Sequence, residues 1–298
     1  MHDFDYEAPT TLSDAVAFMA RHSGGVKPMA GGTDLIDQMR VGVLTPGTLL
    51  DVKKIRELNA VQCDATGLAL GAAVPCYRIY GDRSIVQKYS ALADSCQIIG
   101  GIQIQSRASV GGNLCNSGPA ADSTPSLIAL EAVCVIAGPQ GRREVPVEAF
   151  CTGPGKNVLK PGELLVELRF PPRPTDSGSH YRRFIPRNEM DIAVVGVAAS
   201  VQLDRDRTHF VSARIALGAV APTPLLAADA GAVLAGQPVG DEAISRAAEA
   251  ARAVVSPITD MRGTREFRIH LTGVLTRRVL NAAVARARGE QVDCRPGH

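Results

Sequence analysis

Two short stretches, "AGGTD" at residues 30–34 and "SVGGN" at residues 109–113, set glycine pairs beside small hydroxyl and amide side chains, and each follows a segment that reads as ordinary core. Paired glycines permit positive φ and remove the Cβ, so consecutive N–H groups can line a concavity open to an anion such as a pyrophosphate. Thr33, Ser109 and Asn113 add side-chain donors. A single glycine pair is also what any tight turn requires, so the signal lies in the two occurring together.

The segments around these turns have readable periods. In "TTLSDAVAFMARHSGG", Leu12, Ala15, Val16 and Met19 fall on one helical face, Thr11 and Asp14 are spaced as a capping pair, and glycines close the end. "VKPMAGGTDLI" is a brief strand running into the first glycine turn, and "TLLDVKKI" is another with a polar exit, which together predict a small α/β unit. "GLALGAAVPCYRI" alternates small and apolar residues like a buried strand, and "SALADSCQIIGG" predicts a helix with Leu92, Cys96 and Ile99 inward. "TPSLIALEAVCVIAG" passes from helical to strand spacing, and "GELLVELRFPP" is a strand stopped by prolines. The Pro-, Ser- and Gly-rich "PPRPTDSGSH", residues 171–180, predicts a linker. Beyond it, "DIAVVGVAASVQLD" and "HFVSARIALGAVAP" predict a hairpin turning at "DRDRT". Two helices follow, one burying Ile244, Ala247, Ala248, Ala251 and Val254, the other Phe267, Leu271, Val274, Leu275 and Val279. Strands before helices argue α+β for this last third, and the chain from Gln291 reads as an unstructured tail.

At 298 residues the chain exceeds one typical core, and 45% hydrophobic with 21% charged residues is the balance of a soluble globular protein. A formal charge of +2 gives no electrostatic case for nucleic acid or an acidic membrane. The start "MHDFDYEAPTTL" carries acids where a signal peptide carries lysines, and no apolar run approaches a membrane span, so no membrane insertion and a cytoplasmic location are expected. The seven cysteines (63, 76, 96, 115, 134, 151 and 294) are scattered, without a C-x-x-C pair or histidines at zinc spacing. They read as reduced thiols, and no metal site is expected in this chain.

Familiar catalytic signatures are missing. No G-x-G-x-x-G follows a first strand, "GPGKN" at residues 153–157 is not a P-loop, and no G-x-S-x-G elbow or Cys–His pair stands out. No general acid, base or nucleophile is therefore assigned.

With these segments in hand, "KPMAGGTDLI", "SVGGNLCNSGPAAD", "KPGELLVELRFP" and "YRRFIPRNEMDIAVVGVA" resemble, in order and spacing, the FAD-binding medium subunit of the molybdenum hydroxylases, the xanthine dehydrogenase and carbon monoxide dehydrogenase family. "RIALGAVAPTP" and "SPITDMRGTREFR" resemble that family's C-terminal domain. The resemblance implies an α+β fold. A two-subdomain vanillyl-alcohol-oxidase-type (PCMH-type) FAD-binding domain would occupy residues 1–176, divided near residue 56. A smaller α+β C-terminal domain, antiparallel sheet plus helices, would occupy residues 177–290, leaving 291–298 as the tail.

The resemblance also implies contacts. Pro28, Met29, Ala30, Gly31, Gly32, Thr33, Asp34 and Leu35 would hold the FAD diphosphate region, and Ser109, Val110, Gly111, Gly112 and Asn113 would wrap the same cofactor from the other subdomain. Ile99, Asp122, Leu165 and Arg183 match further contact positions, the last often a lysine in the family. Plain alternatives stand beside each. Met29, Ile99, Val110 and Leu165 suit any core, Asp34 and Asp122 are ordinary helix caps, Arg183 suits a solvated surface, and Tyr181 either flanks the flavin or packs at an interface. Some relatives bind an iron–sulfur cluster through an insertion after the second glycine segment. This chain has no such insertion, and Cys115 alone holds no cluster.

The function implied is electron transfer through non-covalent FAD. The implied partners are a small subunit with two 2Fe–2S clusters and a large subunit with the molybdenum cofactor, as a dimer of heterotrimers. A stand-alone FAD-dependent oxidase or dehydrogenase, and a non-catalytic scaffold, are the rival readings.

Overall fold

The structure is a computed structural model and describes residues 2–22, 24–187 and 189–292. The first unit alternates strand and helix: β1 (Asp5–Glu7), α1 (Leu12–Arg21), β2 (Val26–Met29), α2 (Leu35–Arg40) and β3 (Thr48–Asp51). Its three strands lie parallel in the order β1-β3-β2. Short parallel strands need helical crossovers, which α1 and α2 provide. Thr11 caps α1 by accepting the Asp14 N–H at 3.1 Å, as its spacing predicts. Leu12, Ala15 and Met19 bury against Leu50, Val52 and Ile55.

The middle of the chain folds as β4 (Val61–Asp64), β5 (Gly67–Gly71), α3 (Cys76–Gly81), α4 (Arg83–Lys88), α5 (Ser90–Ile98), α6 (Ile102–Gln105), α7 (Val110–Asn116), α8 (Ser123–Ala129), β6 (Val133–Gly138), β7 (Gly141–Pro146), β8 (Cys151–Gly153), β9 (Lys156–Asn157) and β10 (Leu164–Phe170). A five-stranded antiparallel sheet, β4-β5-β10-β6-β7, carries these helices. The strand expected over "GLALGAAVPCYRI" ends at Gly71. Pro75 sets φ −67° at the N-cap of α3, and the apolar residues after it serve a helix instead.

The last part comprises β11 (Ser177–Phe184), β12 (Val195–Leu203), β13 (Phe210–Gly218), β14 (Leu225–Leu226), α9 (Ala228–Ala232), α10 (Asp241–Ala253) and α11 (Arg265–Ala287). Four antiparallel strands run in chain order. The continuous apolar run of β12 is explained by its two buried faces. Val195, Val197, Ala199 and Val201 pack with α10 and α11, while Ala198 joins the central core with Tyr181 and Ala216. Burying Leu271, Leu275, Val279 and Leu280 of α11, at about 1.5–3 kcal/mol each, outweighs any local helix preference.

Two sequence expectations change here. The connector is residues 171–176, because Ser177–Phe184 is a strand whose Gly178, Ser179 and His180 are buried. Val254 and Phe267 are each 39% exposed, and Val255 takes the inward place after α10. Gln291 and Val292 lie outside any element, and the remaining tail, with Cys294, falls outside the described residues. Among the described residues no helix is long and apolar enough to cross a membrane. The six described cysteines are free.

Candidate functional site

At the end of β2 the chain enters the first glycine turn. Gly32 takes φ +74°, a left-handed conformation open to glycine at no steric cost, and the chain reverses into α2. Pro28 and Met29 pair with Leu50 and Asp51 of β3, which anchors the turn on the sheet. The N–H groups of Gly31, Gly32, Thr33, Asp34 and Leu35 donate to no acceptor among the described residues, and the Thr33 hydroxyl has no partner there either. The Asp34 carboxyl is raised by burial first and by the charge of Asp37 second, although the residue keeps an exposed face at the lip of the turn.

The second glycine segment is not a turn. Ser109 caps α7, its Oγ accepting the Gly112 N–H at 3.1 Å, and both glycines lie in the helix's first turn. Their bareness has two causes. A Cβ on Gly111 would stand 2.4 Å from the Ala72 carbonyl oxygen, so that glycine is required by the protein's own backbone. A Cβ on Gly112 would meet only Ser109 Oγ, at 3.0 Å, leaving this position with the open side.

The two segments meet across the boundary between the first unit and the middle of the chain. A Cβ on Gly31 would come within 2.1 Å of the Arg107 carbonyl oxygen. Asn116, at the end of α7, donates to Asp34 at 3.4 Å and accepts from Gln38 at 3.1 Å. Ala30 and Leu35 flank this junction on the turn and at the start of α2.

From α7 the wall continues into α8 and the last sheet. Asn113 Oδ1 accepts from the Ser123 N–H at 3.3 Å and from its hydroxyl at 2.7 Å, which leaves the Asn113 amide nitrogen as a donor. The capping role expected of Asp122 thus belongs to Asn113, and the Asp122 side chain makes no cap bond. Asp122 instead pairs with Arg183 at 2.5 Å and accepts the Tyr181 hydroxyl at 2.8 Å. Arg183 also donates to the Ile98 carbonyl at 2.7 Å, just before Ile99 ends α5. Its side chain is 5% exposed, so it is no solvated surface charge. Burial pushes the Asp122 carboxyl up to about 6, against the pull of Arg183 and Tyr181.

Tyr181 is buried, which favours packing between the parts over a place beside an open ring. Leu165 and Val110 belong to the core behind the wall rather than to its surface. Burial pushes the Cys115 thiol up to about 12, with Cys151 adding to it, so the thiolate form a metal needs is disfavoured. Four groups have no distinguishing signal in the sequence: Gln38, Asn116, the Arg107 carbonyl and Lys53, whose Nζ donates to the Ala30 carbonyl at 3.2 Å.

The donor set is the amide N–H groups and hydroxyl of the first turn, with the Asn113 carboxamide on α7, the helix whose Asn116 bonds Asp34. Such a set suits the diphosphate and polar edge of a flavin nucleotide better than a metal ion. Among the described residues no group of three or more His, Cys, Asp or Glu is placed to hold a metal.

Two family models match the chain one after the other. Residues 2–173 match the family described as the FAD binding domain in molybdopterin dehydrogenase, and residues 180–283 match the CO dehydrogenase flavoprotein C-terminal domain. The chain is 33% identical over 285 residues to the carbon monoxide dehydrogenase medium chain of Afipia carboxidovorans, covering 96% of this chain and 98% of that one. It is 35% identical over 295 residues to a xanthine dehydrogenase FAD-binding subunit of Escherichia coli, covering 97% and 99%. Among solved structures, a chain of carbon monoxide dehydrogenase from Hydrogenophaga pseudoflava superposes with a TM-score of 0.91 at 31% identity, covering 96% and 98%.

Proposed function

The chain belongs to the family of FAD-binding subunits of molybdopterin dehydrogenases, and from that premise we propose that it is the electron-transfer subunit of a heterotrimeric molybdenum hydroxylase. FAD bound here would take electrons singly from the 2Fe–2S clusters of a small partner and pass them in pairs to an external acceptor, while a large partner with the molybdenum cofactor hydroxylates substrate.

The work of this chain's own residues is binding and orientation. The observation that carries the reading is the junction of Gly31 with Arg107, which, with the Asn116–Asp34 bond, brings the first turn, whose N–H groups have no acceptor among the described residues, against α7 and the segment leading into it. A diphosphate at that junction would be held by Gly31, Gly32, Thr33 and Asp34 from one side and by Asn113 from the other. Charge-assisted hydrogen bonds contribute roughly 1.5–3 kcal/mol each, so about four of them span the range from tens of micromolar to nanomolar retention without a covalent link. Arg183, locked between Asp122 and the Ile98 carbonyl, would fix the Ile98–Ile99 edge of the crevice. No proton has to be moved by this chain, in keeping with the lack of an assigned acid or base.

The reading is tested by tagging the chain in its native host and purifying it with its companions. One large and one small subunit should co-purify in equal amounts, and substrate should bleach the flavin only when both are present. Bleaching of the isolated chain's flavin by an organic substrate would point instead to a stand-alone dehydrogenase.

A further inference from the structure

Lys53 stands at the polar exit of β3, its side chain 35% exposed. Its ammonium lies 2.8 Å from Asp51 Oδ2 and donates to the Ala30 carbonyl at 3.2 Å. Asp51 is itself fixed, accepting the Lys53 N–H at 2.9 Å and the Tyr6 hydroxyl at 2.5 Å. A chain of contacts from Tyr6 on β1 through Asp51 on β3 to Lys53 therefore ends on one peptide unit, that between Ala30 and Gly31.

That peptide opens the glycine turn. In a trans peptide the C=O and the N–H point to opposite edges, so an ammonium on the Ala30 oxygen sets the direction of the Gly31 N–H. This N–H has no acceptor among the described residues. A charged donor on the carbonyl also polarises the amide and strengthens its N–H. On the far side, the Arg107 carbonyl presses against Gly31 so closely that no side chain fits. The peptide thus has an ammonium on its carbonyl and a glycine with no room for a side chain at its nitrogen end, while its N–H keeps no acceptor among the described residues.

We propose that Lys53 is a positioning residue for the diphosphate of the bound flavin nucleotide, acting through the Ala30–Gly31 peptide. The proposal rests on the flavoprotein reading above. Tyr6 and Asp51 hold the ammonium in place, and Lys54 beside it is exposed and has no such role.

Removing Lys53 alone would leave the buried Asp51 carboxylate without its cation, so the test compares D51N with K53M/D51N in the full-length chain. FAD affinity, its dependence on salt and the melting of each apoprotein are measured. D51N keeps the ammonium but loosens its hold, so it should weaken FAD binding by about threefold, and K53M/D51N should bind about tenfold more weakly than D51N with a shallower salt dependence. The two apoproteins should melt within a few degrees of each other. Equal FAD affinity in the two variants would overturn the proposal, as would an unfolded K53M/D51N beside a folded D51N, which would make Lys53 a brace of the fold. If the parent chain binds no FAD, the flavoprotein reading fails and Lys53 is not at issue.

Discussion

Gly31 and the Arg107 carbonyl oxygen lie so close that a Cβ on the glycine would stand 2.1 Å from that oxygen. The first unit meets the segment leading into α7 at this point, so the substitution Gly31→Ala must push them apart. We expect G31A to lose most of its FAD affinity and to be destabilised by about 1–3 kcal/mol, the usual cost of overpacking. Denaturant unfolding with an FAD titration checks both, and unchanged affinity would separate the junction from the binding site.

The two glycines of α7 should behave differently. Gly111→Ala meets the Ala72 backbone and should damage the fold whether or not flavin is present. Gly112→Ala meets only the Ser109 hydroxyl and removes a poor helix former, so apoprotein stability should change by less than about 1 kcal/mol while FAD binding weakens. Melting curves with and without FAD distinguish the two. Equal losses of apoprotein stability would contradict the account.

Asp94 and Arg286 tie α5 to α11. Arg286 donates to both carboxylate oxygens at 2.6 and 2.9 Å, and Tyr181 N–H adds a bond at 3.1 Å. His180 Nδ1 lies 2.7 Å from the same carboxylate, off the line of a hydrogen bond. Burial works against the Asp94 charge, but His180 and Arg286 outweigh it and hold the carboxyl below its ordinary 3.8. A lowered folded-state value stabilises the fold above the unfolded pKa and loses that contribution as pH falls through the folded one. R286M leaves the buried carboxylate with less compensation and should cost about 3–5 kcal/mol at neutral pH, measured by urea unfolding. A cost under about 1 kcal/mol would remove Asp94–Arg286 from the contacts that hold the two parts together.

Asp122 has the opposite sign. Its carboxyl is raised by burial from 3.8 to about 6, so the folded chain keeps a proton that the unfolded chain releases in that window. Its contribution therefore favours folding at the acid end and is lost as pH rises from about 4 to about 6. Unfolding free energies of the parent and D122N across this range should differ in slope. Parallel curves would show that Asp122 does not titrate there.

Much of the architecture is legible locally. The Thr11–Asp14 cap, the β12–β13 hairpin and the inward residues of α10 through Ala251 follow from spacing and turn chemistry alone. The exceptions share one cause, which is tertiary contact overriding local preference. Glycine's low helix propensity disguises α7, a helix held by the Ser109 cap and by the approach of Gly111 to Ala72. The apolar residues after Pro75 suit a strand or a helix equally, and the prolyl N-cap selects the helix. At the site, both glycine segments are visible in the sequence, but their meeting through Arg107 and Asn116 is not. Asp122 reads as a helix cap until Asn113 is seen to occupy that role. Nothing in "DVKKI" distinguishes Lys53 from Lys54 before the Ala30 carbonyl is found against one of them.

Every role proposed for this chain depends on FAD being held between the first glycine turn and α7. Its most direct test is to saturate the purified full-length apoprotein with FAD, desalt it, and read flavin absorbance per chain alongside circular dichroism. A folded, yellow protein carrying close to one flavin per chain is expected. A folded protein that emerges colourless would contradict it.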